Sequence, residues 1–169
     1  MSTSRRRQTR EKVLQTLYAY ELSKEPIAII METVLGELKE NREDFDFAKK
    51  LVSAAVQHEA EVEKIIRRKT ANWEFGRIAV IDRLILRMGI CEMLYFQDIP
   101  PKVTINEAIE IAKAFSTEKS GKFVNGILDA ILVELRDSKT LQKTGRGLIE
   151  ETAHPDPSST SRKKSPSGK

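Results

Sequence analysis

The sequence predicts an all-α protein with two helical halves. Apolar residues recur at helical spacing along most of the chain, and no segment shows a convincing strand alternation. The chain has 169 residues, of which 40% are apolar, which is enough for one domain or two small packed halves. The predicted parts are an N-terminal helical half at residues 1–76, a C-terminal helical half at 77–136 and a disordered basic tail at 137–169.

Three helices are predicted in the N-terminal half. The first contains an apolar stripe at helical spacing, made of Val13, Leu14, Leu17, Tyr18 and Leu22. The second starts near Pro26 and carries apolar positions from Ile27 to Leu38. A charged turn over 39–46 precedes a third helix, predicted over about 45–69. The half ends at a junction marked by Trp73, Phe75 and Gly76.

The C-terminal half is predicted to begin with a central helix. Residues 78–94 are apolar on most sides, which is typical of a helix surrounded by others. Pro100 and Pro101 then stop the chain, and Thr104 with Glu107 fits a capping box that opens the next helix. The buried stripe of that helix is predicted to consist of Ile105, Ala108, Ile109, Ala112 and Phe115.

A last helix is predicted over about 122–136, after a Ser/Lys/Gly turn at 116–121. From Asp137 onward the apolar content collapses, so the tail cannot bury enough surface to offset its ordering entropy. Basic charge is concentrated at the two ends: residues 1–12 carry five basic groups against one acidic group. Such ends indicate either contact with a polyanion or a solubilising arm and tail.

Several function classes are disfavoured by composition. A single cysteine, Cys91, excludes a disulfide framework, and two histidines, His58 and His154, leave few ligands for zinc. The eight glycines include no GxGxxG or P-loop arrangement, so no cofactor is expected. The segment 78–94 is too short and too charged to span a membrane, and no signal peptide is visible. We therefore expect a cytoplasmic protein that is not an enzyme.

The first candidate site is the arginine cluster at the N-terminus. Cations in the first turn of a helix oppose the helix dipole, at roughly 0.3–1 kcal/mol each when unpaired. The arginines also extend the apolar stripe, and they cannot all be buried without partners. The simplest geometry has the first turns projecting beyond the body, with free guanidinium groups for phosphates or base edges; the alternative is a frayed basic end. The residues are Arg5, Arg6, Arg7 and Arg10.

The second candidate site spans residues 119–126. A helix N-terminus with free backbone N–H groups beside Lys119 and Lys122 is an anion site. Phe123 packs at the edge of the core or serves as a stacking platform for an unpaired base. Asn125 and Gly126 oppose helix propensity, by roughly 1 kcal/mol for the glycine. A close backbone approach, to another helix or to a ligand, would explain them.

Asp82, Arg83 and Arg87 form the third candidate site, because they interrupt an otherwise apolar helix. Arg83 and Arg87 are i, i+4 neighbours on one face. We favour a structural salt bridge to an acidic helix. The alternative is a hydrogen-bonded patch that faces a protein partner.

Four motifs stand in order over about residues 4–136. The first is the arginine-rich start with Leu14, Gln15, Leu17, Tyr18, Glu21 and Leu22. The others are Ile81-Asp82 to Gly89, Ile99-Pro100 to Ala108, and Ile111 to Phe115 followed by Lys122-Phe123-Val124-Asn125-Gly126. In this order the motifs resemble those of the bacterial transcription antitermination factors of the NusB family. The sequence departs from the family at Lys119, where an acidic residue is common, and at Cys91, where an aromatic residue is more usual.

The resemblance implies a bundle of about seven helices in two three-helix-like halves. It implies binding to boxA RNA of ribosomal RNA operons together with NusE, a small-subunit ribosomal protein, on elongating RNA polymerase with other Nus factors. The free protein is then a monomer or a homodimer, which the sequence does not distinguish. The implied RNA contacts are Arg5, Arg6, Arg7, Arg10, Lys119, Lys122, Phe123 and Asn125. The implied NusE contacts are Tyr18, Leu22, Asp82 and Arg87.

Overall fold

A computed structural model describes residues 4–72 and 77–149, and these form seven α-helices without a β-strand. The predicted all-α class is therefore confirmed. The junction residues Trp73, Phe75 and Gly76 lie outside the described residues. The helices are α1 (Arg5–Ser23), α2 (Ile27–Leu35), α3 (Arg42–Gln57), α4 (Glu59–Lys69), α5 (Val80–Tyr95), α6 (Pro101–Phe115) and α7 (Glu118–Asp137).

Local side-chain caps fix the starts of three helices. The Ser4 hydroxyl accepts a hydrogen bond from the Arg7 N–H at the start of α1. The Asn41 side chain accepts one from the Asp44 N–H at the start of α3. The Thr117 hydroxyl accepts one from the Ser120 N–H at the start of α7. Each cap satisfies a backbone donor that the helix itself leaves unpaired.

The helix predicted over 45–69 is in fact two helices. The backbone breaks at His58 (φ −105°, ψ 19°), between α3 and α4. The break changes the chain's direction, because α3 packs against α1 and α5 whereas α4 packs against α5 and α7. The apolar periodicity continues through His58, so it gave no signal of the break.

The predicted capping box at Thr104 and Glu107 is wrong. Helix α6 starts at Pro101, with Pro100 as its N-cap. Proline suits the first helical position, since its missing N–H would have no partner there and its φ is already helical. Thr104 and Glu107 instead use their side chains in contacts with other helices, described below.

One continuous core joins the two halves, and α5 runs through it. Helix α5 packs against α1, α3, α4, α6 and α7, and residues 84–93 are all buried. This confirms the central position predicted for the 78–94 segment. Phe115 was predicted in the buried stripe of α6 but is 39% exposed, because α6 ends at this residue. No helix of the described residues is long and apolar enough to cross a membrane.

Residues 138–149 fold back onto the end of α5, which corrects the disorder predicted from Asp137. Leu141 packs against the core, and the Lys143 ammonium donates to the carbonyl oxygens of Phe96 (2.7 Å) and Glu92 (3.2 Å). The Thr144 N–H donates to the carbonyl oxygen of Gln97 at 2.9 Å. We call residues 138–149 the C-terminal segment. The rest of the predicted tail, 150–169, lies outside the described residues.

Candidate nucleic-acid interface

The first two arginines of α1 form ion pairs with the start of α3. The Arg5 Nε lies 2.6 Å from an Asp44 oxygen. Arg6 lies 3.4 Å from Glu43 and 3.7 Å from Asp44, and its guanidinium carbon is 4.2 Å from the centre of the Phe47 ring. The Arg5 side chain is 67% exposed and that of Arg6 33% exposed. Both side chains therefore remain accessible to solvent despite their acidic partners.

The next two arginines reach across the bundle. Arg7 donates two hydrogen bonds to Glu107 on α6, at 2.7 and 3.1 Å. This bidentate contact raises the pKa of the Arg7 guanidinium. Arg10 donates two hydrogen bonds to Glu92 on α5, at 2.9 and 2.7 Å. Both Arg10 and Glu92 are buried, and the Thr104 hydroxyl also donates to Glu92 at 3.2 Å.

The prediction that these guanidinium groups are free is wrong. The first turns of α1 do not project beyond the body, since all four arginines contact acidic residues of α3, α5 or α6. A buried arginine is tolerated only when its charge is compensated. Sequence reasoning missed the compensating acids. Glu92 had a usable signal, because an acidic residue inside an apolar helix indicates a buried cationic partner.

The start of α7 carries two exposed lysines that can bind an anion. Lys119 and Lys122 are exposed, and neither has an ion-pair partner among the described residues. Asn125 is also exposed, whereas Phe123 is partly buried and packs against the core. Helix α7 begins at Glu118, earlier than the predicted 122, so Lys122 lies in its second turn. The predicted anion site therefore moves to the first turn, beside Lys119.

Gly126 has no close neighbour among the described residues. A Cβ atom added there would meet nothing within 4 Å. Close packing of another helix of this chain therefore does not explain the glycine. Of the two explanations that the sequence left open for Gly126, the one that remains is a ligand that approaches the backbone.

The residues implied at a protein interface divide into two exposed and two buried side chains. Tyr18 is 39% exposed and Leu22 is 62% exposed, both on α1. Asp82 and Arg87 are buried on α5. The Asp82 carboxylate accepts a hydrogen bond from the Ser120 hydroxyl at 2.9 Å, which ties α5 to the start of α7.

Arg83 and Arg87 bind acidic side chains, as favoured from the sequence. The Arg87 guanidinium lies 3.2 Å from Glu63 and 3.5 Å from Glu59, both on α4. Arg83 lies 3.7 Å from Glu21 on α1 and 4.0 Å from Glu63. These contacts hold α4 and α1 against α5. Arg87 is therefore a structural residue in this arrangement, since its own side chain is only 3% exposed.

The single cysteine and His58 both pack against other helices of the bundle or their side chains. Burial raises the pKa of the Cys91 thiol to about 12, so it holds its proton at neutral pH. The His58 ring stacks on Tyr95 with ring centres 4.2 Å apart, and its Nδ1 lies 3.6 Å from Glu61. Among the described residues, no group of three or more histidine, cysteine or acidic side chains could hold a metal ion.

Comparison with known proteins places this arrangement in a family. The transcription antitermination protein NusB of Chloroherpeton thalassium is 45% identical over 169 aligned residues, which cover 94% of this chain and 78% of that protein. The solved NusB of T. maritima is 37% identical with a TM-score of 0.73, covering 83% of this chain and 98% of that one. A complex of the antitermination factors NusB and NusE with double-stranded RNA contains a chain that is 30% identical, with a TM-score of 0.70, covering 76% and 96%.

The helical bundle and these relatives place the chain in a class of small all-α transcription antitermination factors. The NusB family model matches residues 7–133. The chain belongs to the NusB family. The match ends before the C-terminal segment, so that segment lies beyond the part of the chain that defines the family.

Proposed function

We propose that this protein binds single-stranded boxA RNA of ribosomal RNA operons jointly with NusE and supports processive elongation by RNA polymerase. It acts in the cytoplasm, with other Nus factors on the elongation complex, and performs no catalysis of its own. Membership of the NusB family over residues 7–133 carries the proposal. The solved complex of a family member with NusE and RNA supports the choice of partners.

Both basic regions contact α6, which supports a shared RNA surface. Arg7 on α1 binds Glu107 of α6. Gly121 on α7 packs against Lys113 of the same helix, since a Cβ atom there would lie 3.0 Å from the Lys113 side chain. Glu107 and Lys113 are separated by six residues, or about 9 Å of helix. A flexible RNA strand can therefore contact both regions.

The RNA contacts divide by accessibility. We assign phosphate contacts to Arg5, Arg6, Lys119 and Lys122. The side chains of Arg5 and Arg6 are 67% and 33% exposed, so phosphates can reach them beside the buried Asp44 carboxylate that they share. Phe123 provides apolar or stacking contact and Asn125 hydrogen bonds.

Arg7 and Arg10 hold α1 in place rather than bind phosphate directly. Exchange of a buried ion pair would leave an uncompensated carboxylate, which costs several kcal/mol. Arg10 is buried together with Glu92, and Arg7 is held by two hydrogen bonds. This revises the two residues from RNA contacts to positioning residues.

The exposed side chains of Tyr18 and Leu22 are the proposed contact with NusE. Asp82 and Arg87 support that contact from within, because their buried side chains fix α5 against α4 and α7. The same exposed residues are available for a homodimer in the free protein. Size-exclusion chromatography with light scattering, run alone, with NusE and with RNA, distinguishes the two uses.

The direct test is a titration of labelled single-stranded boxA RNA with and without NusE, beside a scrambled strand and a double-stranded RNA. We expect tighter binding of the boxA strand and a further gain with NusE. About four neutralised phosphates would give a slope of about −3 for log affinity against log salt. Equal binding of boxA and scrambled strands would contradict the boxA assignment.

A protein-only adapter is the second candidate function. The pairing of all four arginines with acidic residues favours it, because it removes much of the positive charge that RNA would need. In that case NusE binds with little dependence on salt, and no RNA shifts in the titration.

A further inference from the structure

A groove of about 660 Å³ lies between the start of α1, α3, the α5–α6 corner and the C-terminal segment. This volume is in the range of ligand-binding clefts, roughly 300–1,000 Å³. Phe47 and Phe96 line it, with ring centres 5.2 Å apart in an edge-on arrangement. Arg146 and Ile149 of the C-terminal segment also line the groove.

Two cations lie against the aromatic rings of this groove. The Arg6 guanidinium carbon is 4.2 Å from the centre of the Phe47 ring, and the Lys50 ammonium is 4.2 Å from the centre of the Phe96 ring. Such contacts attract the cation to the ring face and restrict its side chain. A planar guanidinium held in this way is a platform on which an unpaired base can stack.

Four basic and four acidic side chains line the groove, and most of these charges are paired. Three of its four carboxylates already have an arginine within ion-pair distance: Glu43, Asp46 and Glu107. Asp98 is the fourth. Lys50 and Arg146 have no acidic partner among the described residues, and both are exposed. The unpaired charges are therefore two cations and one carboxylate, so Lys50 and Arg146 are the groups of the groove that can bind phosphate.

The C-terminal segment is held firmly where it meets the groove. The hydrogen bonds of Lys143 and Thr144 attach it to the end of α5. Gly147 is buried, and a Cβ atom there would overlap the carbonyl oxygen of Gln97. The backbone that carries Arg146 therefore lies between two fixed points.

We infer that this groove is a further binding cleft for single-stranded RNA, in which Lys50 and Arg146 contact phosphates. The planar face of Arg6 stacks against a base there, while its N–H groups contact the neighbouring phosphate. The inference rests on the proposed function, because the ligand is the same RNA strand. It adds to that function a contribution of the C-terminal segment, which lies beyond residues 7–133.

The test compares the double variant Lys50→Ala/Arg146→Ala with the matched control Lys49→Ala/Arg136→Ala. The control residues are exposed, have the same charges and do not line the groove. We expect the groove variant to bind labelled boxA RNA about 25- to 100-fold more weakly at low salt, at about five- to tenfold per lost phosphate contact. The magnitude of its salt slope falls by about 1.4. The control binds as the wild type does.

Gly147→Ala is an independent variant, because the added methyl group must displace the segment from Gln97. We expect it to weaken RNA binding as much as Arg146→Ala alone. If Gly147→Ala fails to fold, Arg146→Ala still tests the inference, because the Arg146 side chain is exposed and has no ion-pair partner in the described part of the chain. RNA carrying 4-thiouridine should also crosslink to peptides that contain Lys50 or Arg146.

The outcomes separate this inference from the proposed function. If the groove variant binds RNA as strongly as the wild type does, and no crosslink forms to those peptides, the inference about the groove is wrong and the proposed function stands. Failure of the wild type to bind any RNA overturns both. Equal losses in the groove variant and in its control also overturn the groove, since they would reflect net charge alone.

Discussion

At the start of α1, four arginines lie 2.6 to 3.4 Å from acidic oxygen atoms, whereas Lys119 and Lys122 at the start of α7 have no acidic partner among the described residues. Both regions are strongly basic in sequence. They differ because the start of α1 packs among α3, α5 and α6, which supply carboxylates, while the lysines of α7 face solvent. The number of basic residues in a segment therefore does not give the charge that it offers to RNA.

Arg10→Met should produce the largest effect and should appear in stability. The substitution leaves the Glu92 carboxylate buried without its cation, so we expect the free energy of unfolding to fall by about 3–5 kcal/mol. Urea denaturation followed by circular dichroism measures it. The double variant Arg10→Met/Glu92→Leu should recover much of the loss. A fall of less than about 1 kcal/mol would mean that the pair is not structural.

Lys119→Ala/Lys122→Ala should show the opposite behaviour. These exposed substitutions should change the free energy of unfolding by no more than about 0.5 kcal/mol. The slope of log RNA affinity against log salt should lose about 1.4 in magnitude, for two phosphate contacts. Lys49→Ala/Lys64→Ala, which removes two exposed lysines on α3 and α4, is the matched control for charge. An unchanged salt slope in the double variant would remove the start of α7 from the RNA surface.

Gly126→Ala should sharpen the comparison from the backbone side. The free protein has room for the methyl group, so alanine should stabilise α7 by about 0.5–1 kcal/mol. If RNA approaches this backbone closely, the same substitution weakens RNA binding. Thermal unfolding and RNA titration of one preparation measure both effects. If Gly126→Ala stabilises the protein and leaves RNA affinity unchanged, the RNA strand does not contact the backbone at Gly126.

Lys143 is a third kind of cation, half-buried against backbone carbonyl groups. Burial lowers the pKa of its ammonium to about 8, from the usual value of about 10.4. Between these two pH values the unfolded chain holds a proton that the folded protein has released. The contribution of Lys143 to the free energy of unfolding should therefore rise with pH across this window.

The expected effect of Lys143 is the smallest, since solvent screens a half-buried group. The measurement is urea denaturation from pH 7 to pH 10 for wild type and Lys143→Met. The stability of the wild type relative to the variant should increase above pH 8. A relative stability that falls or stays level with rising pH would contradict the lowered pKa.

Helix positions and core stripes could be predicted because they depend on neighbours within four or five residues. Two exceptions have local physical causes and one depends on a tertiary contact. The break at His58 leaves the apolar spacing unchanged, and Pro101 starts α6 where a proline was expected to precede it. The C-terminal segment is folded because Lys143 and Gly147 pack against the end of α5. Composition does not reveal this contact.

The sequence by itself determined the all-α class, the central α5, the two basic regions and the four motifs that carry the family resemblance. Only the tertiary structure decided which cations are free. Arg6, Arg7 and Arg10 are joined to Glu43, Glu107 and Glu92, which lie 37, 100 and 82 residues away along the chain. Periodicity describes one helix at a time, whereas the compensation of a buried charge depends on which helices pack together.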